Sequence, residues 1–418
     1  MNFPKMLRVR QKFEATVIED IPREVALQVR RMGLEKRVRP GQTVAMACSS
    51  RGIANYSTIV EATVDSLREL GLEPFIVPAM GSHGAATAEG QKRVLEHYGI
   101  SGERIGVPIR SSLEVVQVGE TEDGIPVFLD KLAWGADHIV PINRIKSHTD
   151  FEHEIESGLM KLIAIGLGKQ KGAAIYHQAI LTHGYPRIIL TVAGRVLQSR
   201  KILFGVGIVE NGYAQTARIG VVGPGELEQR EKGLLREAKR LEARLPFEDV
   251  DILIIDEMGK DISGTGFDTK VVGRIHMPLV TEEPKTPRVK RIVVCDLSPN
   301  TEGNADGVGM ADFVTRRLVD KIDLDALYMN AITGVEPEHA KIPIALKHDR
   351  EAIEVAMKSV GLIPCEKLRI IRIKSTKHLG EVDVSPAYEH ELSDRDDLEI
   401  IPEAKPMAFD EQGCLEAF

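Results

Sequence analysis

Short apolar runs alternate with amphipathic segments along most of the chain, and this alternation restricts the fold more than any other feature. Thr43–Cys48 has the length and composition of a buried strand, and Ile53–Leu70 then carries apolar residues at helical spacing. Pro74–Met80 repeats the strand, and the helix that follows it is capped by Thr87 and ended by Gly99. Strands that alternate with helices are typical of parallel sheets covered by helices, so we expect an α/β fold.

The same pattern continues into the C-terminal half. Further strands are predicted at His138–Ile142, Ile202–Val209, Ala217–Val222, Val250–Asp256, Arg291–Asp296, Leu327–Asn330 and Leu368–Ile373. Further helices are predicted at 224–245, Asp306–Val319 and Asp349–Gly361.

A long charged helix separates the two series of strands, so we place a domain boundary near Pro246. The predicted domains are an N-terminal catalytic and cofactor-binding α/β domain over 1–245 and a C-terminal α/β domain over 246–418. For the stretch that begins near Leu398, two alternatives stay open: it packs within the C-terminal domain, or it returns to the N-terminal domain.

Polar side chains collect where the predicted strands end. Arg51 follows the first strand, His83 lies between glycines after the second, and His148 and His153 follow the strand that begins at His138. Ligands of open α/β sheets bind outside the carboxyl ends of the strands. Because both halves show this arrangement, we expect two α/β domains with mainly parallel sheets and an active-site cleft between them.

Composition excludes several classes of partner. The chain has 54 basic and 62 acidic side chains, a net charge of −8, so it lacks the basic excess of a nucleic-acid-binding protein. No apolar run is long enough to span a bilayer, and the N-terminus lacks the apolar segment of a signal peptide. We therefore expect a cytoplasmic protein that binds neither nucleic acid nor membrane. The four cysteines form no CxxC pair, which argues against a zinc or redox motif.

The segment from Asn143 to His177 has the densest set of titratable residues, but it contains none of the common catalytic motifs. His148 and His153 do not fit HExxH or HxxEH, and Gly168-Lys169 is followed by Gln170 rather than by the Ser or Thr of a phosphate-binding loop. Binding of a nucleotide by a standard loop is therefore disfavoured.

Four motifs, in order, carry a family resemblance: ACSSRGIANY, PAMGSHGAATAEGQ, NRIKSHTDF and ESGLMKLIAIGLGKQKGA. Together they resemble the nickel-dependent lactate racemase family, and most closely its broad branch of 2-hydroxy-acid racemase and epimerase homologues. The resemblance covers roughly the first half of the chain. It implies an isomerase that acts on lactate or a related small 2-hydroxy acid.

The resemblance also implies a role for each matching residue. His83 and His148 match the two acid/base histidines, and Arg51 matches an arginine that meets the substrate. Lys161 matches the lysine that carries the cofactor, and His177 matches the nickel-binding histidine. The implied cofactors are nickel and the nickel-pincer nucleotide, a pyridinium-thio(carboxylic) acid mononucleotide. Arginine suits its role physically, because a guanidinium meets a carboxylate bidentately.

Two other functions stay open. The segment after His148 contains the additional His153 and Glu154, which with His148 and His177 suggest a conventional divalent metal in a hydrolase or lyase. A non-catalytic ligand-binding homologue is the other alternative. The racemase hypothesis is favoured because the four motifs resemble that family and supply the groups its chemistry needs. Removal of the α-hydrogen as hydride requires an electrophilic cofactor and two proton-transferring groups on opposite faces of the substrate.

Overall fold

The computed structural model describes residues 3–49 and 52–418. Within them the strands are β1 (Lys5–Gln11), β2 (Thr43–Cys48), β3 (Glu73–Pro78), β4 (Val115–Glu120), β5 (Pro126–Asp130), β6 (His138–Arg144), β7 (Gly205–Glu210), β8 (Thr216–Val222), β9 (Asp249–Met258), β10 (Arg288–Leu297), β11 (Phe313–Thr315), β12 (Ile344–Leu346), β13 (Ile370–Ile373), β14 (Glu381–Val384) and β15 (Leu398–Pro406).

The α-helices are α1 (Ile21–Arg31), α2 (Tyr56–Glu69), α3 (Ala88–His97), α4 (Gly102–Ile105), α5 (Lys131–Gly135), α6 (Leu159–Lys161), α7 (Lys169–His183), α8 (Tyr185–Gln198), α9 (Leu227–Leu241), α10 (Thr269–Val272), α11 (Arg316–Val319), α12 (Leu324–Gly334), α13 (Asp349–Ser359) and α14 (Glu389–Ser393). A π-helix, Leu162–Gly166, directly follows α6.

Two compact units make up the chain, one of residues Ala15–Glu242 and one of Met1–Glu14 with Ala243–Phe418. The change of unit after Glu242 lies close to the predicted boundary near Pro246. The N-terminal strand differs from the predicted ranges, because β1 pairs with β14 and β15 and so joins the C-terminal sheet. The stretch from Leu398 also stays in that unit, as the strand β15.

The unit of residues 15–242 is built on a sheet with the strand order β3-β2-β6-β7-β8, which we call the N-terminal sheet. The pairs from β3 to β7 are parallel and the edge pair β7-β8 is antiparallel. Alternate residues of β2 enter two different cores, with Ala45 and Ala47 in one and Val44 and Met46 in the other. Both faces of this sheet are therefore covered, as the apolar composition of its strands requires.

The C-terminal unit contains a sheet with the order β12-β11-β10-β9-β13-β14-β1-β15. Its pairs are parallel from β12 to β13 and antiparallel from there to β15. The two sheets confirm the predicted α/β class with mainly parallel sheets.

Two elements of the C-terminal unit were predicted wrongly. The predicted strand Leu327–Asn330 lies inside α12, whose first turn is capped by Asp323 and which buries Leu327 and Ala331 one turn apart. A short apolar run fits a strand or one turn of a buried helix equally well. The predicted helix Asp306–Val319 is instead a 3-10 turn, the strand β11 and the short α11. Among the described residues, no helix combines the length and apolar character that a membrane span requires.

Candidate active site

The carboxyl ends of three neighbouring strands define the candidate site. β2 lies between β3 and β6, and the register pairs Cys48 with Pro78 on one side and with Ile142 on the other. The strands therefore end close to level, and β3 and β6 are separated by about 10 Å, twice the spacing of adjacent strands. His83 follows β3 and His148 follows β6, so the two residues predicted to be bases come after the strands that flank β2.

Arg51, which follows β2, lies outside the described residues. The chain on both sides of it is fixed by hydrogen bonds. The Ser49 amide donates to the Tyr56 hydroxyl at 2.7 Å, and that hydroxyl donates to the Ile142 carbonyl at 3.3 Å. The Ala54 amide donates to the Glu210 carboxylate at 2.6 Å. Ser49 and Ala54 are thus both held at the carboxyl ends of strands in the N-terminal sheet.

His83 lies in a tight turn directly after β3. Its amide donates to the Met80 carbonyl at 3.1 Å, and its own carbonyl accepts a hydrogen bond from the Gln91 side chain at 3.2 Å. Gly81 and Gly84 on either side have φ angles of +58° and +65°, which L side chains rarely adopt. His83 is half-buried.

His148 is more enclosed than His83, with 4% of its surface exposed. Its ring lies 4.5 Å from the Phe151 ring and 5.5 Å from the Tyr185 ring, centroid to centroid, and the latter two rings stack. The Asp150 amide donates to His148 Nδ1 at 3.0 Å. The same Nδ1 atom lies 3.5 Å from the Asp150 carboxylate oxygen Oδ2, so Asp150 presents both a donor and an acceptor to this nitrogen.

The Nε2 atom of His148 is in hydrogen-bond contact with the Nζ atom of Lys161. Lys161 ends α6, and the following π-helix buries its apolar residues in the core. Insertions of this kind within helices are frequent at functional sites. The half-exposed Lys161 is thus held at the edge of an apolar segment, facing a histidine that the sequence predicted to be catalytic.

Helix α9 anchors the loop between His148 and Lys161. At its C-terminal end, Glu242 accepts hydrogen bonds from the Ser147 amide and hydroxyl, both at 2.7 Å. One turn earlier, Lys239 pairs at 2.5 Å with the fully buried Glu156. Glu156 in turn accepts from the His148 amide at 2.6 Å. The loop is therefore a rigid support for His148.

Glu231, in the middle of α9, contacts the start of the lysine-bearing helix. One carboxyl oxygen accepts from the Met160 amide at 2.9 Å, and the other would lie 2.1 Å from a Cβ placed on Gly158. Burial raises the pKa of Glu231 to about 8. Gly158 is extended, with φ −177°, so a glycine is needed here for space and not for its backbone angles.

Sequence reasoning missed Glu156 and Glu231. For Glu231 a signal existed, because it lies on the same helical face as the buried Leu227, Leu234 and Leu235. A single carboxylate on an apolar stripe usually has a specific partner. Glu156 gave no comparable signal, since its partner Lys239 is distant in the sequence.

His177, the predicted nickel ligand, is half-buried on α7. From the sequence, Gly166, Gly168 and Gly172 were predicted to leave room for a bulky cofactor between Lys161 and His177, but they pack against protein atoms. A Cβ on Gly166 would meet the Ala79 carbonyl at 2.6 Å, and a Cβ on Gly168 or Gly172 would meet the Tyr176 ring at 3.0 or 2.9 Å. These glycines therefore allow close packing of the protein on itself and not the approach of a bulky cofactor.

The residues that the resemblance assigns to the cofactor lie in one segment of the chain. Among the described residues, no group of three or more His, Cys, Asp or Glu side chains is arranged to hold a metal ion. Imidazole is a ligand that nickel accepts, so the residue type at His177 fits the role that the resemblance implies. Lys161 supplies an amine in the same segment, in contact with His148.

The alternative metal site does not assemble in the described part of the chain. Glu154 pairs at 3.2 Å with Lys232, and its side chain is largely exposed. His153 Nδ1 accepts from the Ile155 amide at 3.2 Å. These contacts direct the two residues toward α9 and their own loop, and His148 is directed toward Lys161.

The fold is that of an α/β protein in which His83 and His148 follow the carboxyl ends of β3 and β6. Residues 5–187 match the family model of the lactate racemase N-terminal domain. This match confirms the family resemblance over the part of the chain that carries its motifs. No curated protein sequence matches the chain.

One solved structure shows a shared fold at low sequence identity, and a second is similar over most of the chain at a lower score. A Thermotoga maritima protein, determined by the Northeast Structural Genomics Consortium, superposes with a TM-score of 0.54 at 12% identity and covers 86% of this chain and 97% of its own. The lactate racemase apoprotein from Thermoanaerobacterium thermosaccharolyticum superposes with a TM-score of 0.48 at 12% identity, over 96% of this chain and 94% of its own.

Proposed function

We propose that the protein is a racemase or epimerase of a small 2-hydroxy acid, lactate or a related acid, that works with a nickel-pincer nucleotide. The observation that carries this proposal is the contact between His148 and Lys161. These residues lie in separate motifs of the lactate racemase resemblance, and the folded chain supports their assignment to one site by bringing their reactive nitrogens together.

The cofactor-binding role falls to Lys161 and His177. In this proposal Lys161 anchors the nucleotide through its amine, and His177 gives nickel one imidazole nitrogen. When bound, the nickel-pincer nucleotide supplies the electrophilic carbon that accepts the substrate's α-hydrogen as hydride. All other steps are carried by side chains of the protein.

The proton of the substrate hydroxyl is handled by the two histidines. Oxidation of the α-carbon requires a base at that hydroxyl, and the reverse step on the other face requires an acid. His83 and His148 follow strands on either side of β2, so each is suited to one face of a substrate bound between them. Arg51 follows β2 in the sequence, and in this proposal it binds the substrate carboxylate bidentately.

The surroundings of His148 suit a proton-transferring group. Asp150 contacts its Nδ1 atom through both its amide and its carboxylate, and the Phe151 and Tyr185 rings pack against the imidazole and exclude water from it. The proposed role requires the tautomer with the ring proton on Nδ1, where it faces the Asp150 carboxylate at 3.5 Å, because only then does Nε2 have the lone pair that takes the hydroxyl proton. His83, in its half-buried turn, has more contact with solvent, so the two bases differ in environment.

The experiment is a screen of enantiopure 2-hydroxy acids with protein co-produced with the enzymes that make the cofactor. Loss of optical rotation for at least one acid, absent from H83A and H148Q variants, is the expected result. If no acid loses its rotation although the protein carries nickel, the proposed reaction is wrong. Colourless protein that contains zinc or manganese and cleaves or dehydrates an acid would instead support the hydrolase or lyase alternative.

A further inference from the structure

We propose that Gln91 and Lys169 are positioning residues that hold the His83 turn against the first turn of α7, the helix that carries His177. The inference rests on the proposed function for its catalytic meaning, but its geometry stands on the buried contacts described below. Both residues lie in motifs that carry the family resemblance, and neither has yet been given a role.

Gln91 is fully buried in α3, and its amide nitrogen serves the turn alone. It donates to the Gly81 carbonyl at 2.9 Å and to the His83 carbonyl at 3.2 Å. Two donors from one rigid amide fix the carbonyls on both sides of Ser82. Burial makes these bonds costly to lose, because each carbonyl would remain without its partner away from water.

The oxygen of the same amide accepts from Lys169. The Lys169 ammonium lies 3.2 Å from Gln91 Oε1 and 2.9 Å from Asp130 Oδ2, and it also contacts the Pro78 carbonyl at the end of β3. Lys169 and Asp130 are both fully buried, a costly arrangement that is retained only when both charges are paired. Burial lowers the pKa of Lys169, and Asp130 opposes that effect.

Lys169 is the first residue of α7 and has a φ of +55°, unusual for a residue other than glycine. A strained backbone angle persists only where its surroundings determine it strongly. Here the buried side chain provides that determination, since it is bound at three points. The start of α7 is thereby fixed to the end of β3 and, through Gln91, to the turn that contains His83.

Backbone packing accounts for the glycines near Gln91. A Cβ on Gly84 would lie 2.6 Å from the backbone nitrogen of Gln91, and a Cβ on Gly90 would lie 2.0 Å from the Gly84 carbonyl oxygen. The turn and the start of α3 therefore touch without intervening side chains. This close approach brings the side-chain amide of Gln91 within reach of Gly81 and His83, which explains why glutamine and glycines occur together in GSHGAATAEGQ.

The consequence is a shared support for a proposed base and a proposed nickel ligand. Gln91 donates to the main chain of His83, and Lys169 begins the helix on which His177 lies. A change at Gln91 is therefore expected to misplace His83 while leaving the bulk of the fold intact. Misplacement of a catalytic group by about 1 Å can reduce turnover roughly a hundredfold.

The test compares Gln91→Glu with Gln28→Glu. Glutamate at 91 keeps the size of the side chain and the acceptor for Lys169, but as a carboxylate it has no proton for the Gly81 and His83 carbonyls. Gln28 is a matched control, since its amide donates to the Ile219 carbonyl at 2.7 Å and accepts from the Val221 amide at 2.8 Å, at a distant edge of the same sheet. A K169M/D130N double variant, which removes both charges together, tests the lysine without leaving an unpaired aspartate.

Two measurements are made on each variant. Hydrogen exchange by mass spectrometry on apo-protein reports the turn at 80–87 against the rest of the chain, and steady-state kinetics on loaded protein report kcat and KM. We expect Q91E and K169M/D130N to exchange at least tenfold faster in the turn and to lose kcat tenfold or more with KM little changed, while Q28E does neither. Wild-type exchange in the turn of Q91E would overturn the positioning role. If wild type racemises nothing, the proposed function fails, and the exchange measurement still decides the inference.

Discussion

The Nζ atom of Lys161 faces the Nε2 atom of His148 at hydrogen-bond distance. One of two nitrogens in such a contact must present a lone pair. The Asp150 carboxylate lies 3.5 Å from His148 Nδ1, so a ring proton on Nδ1 would face an acceptor and leave the Nε2 lone pair to accept a hydrogen bond from Lys161 Nζ. His148 and Lys161 are in direct contact, so we expect a change at one to affect the other.

The first prediction follows from that contact. The His148 ring lies against Lys161 Nζ, and Lys161 is half-buried. In apo-protein at pH 7 we expect His148→Ala to speed the acetylation of Lys161 severalfold relative to that of the exposed Lys285, because loss of the ring opens the nitrogen to the reagent. Peptide mapping measures both rates. An unchanged ratio of the two rates would contradict the contact.

The second prediction concerns the buried Glu231. Its pKa is raised from 4.5 to about 8, so the unfolded chain loses this proton at lower pH than the folded protein does. Between these values folding takes up a proton, and the group's contribution to stability is therefore highest at low pH and is lost as pH rises through the window. The slope for one proton is at most about 1.4 kcal/mol per pH unit.

Urea unfolding at pH 5.5, 6.5 and 7.5 measures this effect. The stability of wild type relative to E231Q should fall as pH rises, because glutamine reproduces the neutral form and does not titrate. Glu228→Gln is the matched control, since Glu228 lies on the same helix with its side chain 49% exposed. Parallel pH profiles for wild type and E231Q would show that Glu231 is already ionised in the folded protein.

The third prediction concerns the contact between Gly158 and Glu231. Gly158→Ala places a methyl group 2.1 Å from the Glu231 carboxyl oxygen, so either α6 or α9 must shift and activity should be lost. In G158A/E231A the obstacle is absent. We expect the double variant to be at least about 1 kcal/mol more stable than the sum of the single changes implies, as for residues in direct contact. Gly225→Ala, where no atom lies within 4 Å of the added methyl, is the control. Additive free energies of unfolding would contradict the contact.

The fourth prediction concerns Arg51. Lysine keeps the charge but loses the two-pronged geometry that matches a carboxylate. Loss of one charge-assisted hydrogen bond is worth about 1.5–3 kcal/mol, so Arg51→Lys should lower kcat/KM roughly tenfold or more. The measurement is steady-state racemisation of the best substrate from the screen. An unchanged kcat/KM would remove Arg51 from substrate binding.

Local sequence signals predicted the N-terminal sheet well. The strand predicted at Thr43–Cys48 has the same bounds as β2, and the Thr87 side chain caps α3 as expected by accepting from the Gly90 amide at 3.0 Å. Both signals are complete within a few residues of sequence. The pairing of β1 with β14 and β15 was not predictable in this way, since it depends on partners almost the whole chain away.

The site shows the same division between local and long-range information. The family resemblance singled out His148 and Lys161, but it did not show that their side chains touch. The supports of the site depend on tertiary packing, as in the contacts of Glu231 with Met160 and of Lys169 with Asp130. A buried titratable side chain is recognisable in sequence only when it interrupts an apolar pattern, as Glu231 does in α9.

The most direct test of the central claim is intact mass together with nickel content for protein co-produced with the cofactor-making enzymes. For wild type we predict close to one nickel per chain and, if the link to Lys161 is covalent, a mass increase equal to the pincer nucleotide. The K161A and H177A variants should each lose nickel, and K161A should lose any mass increase. Wild type that gains no nickel, or H177A that retains nickel and full racemase activity, would contradict the assignment.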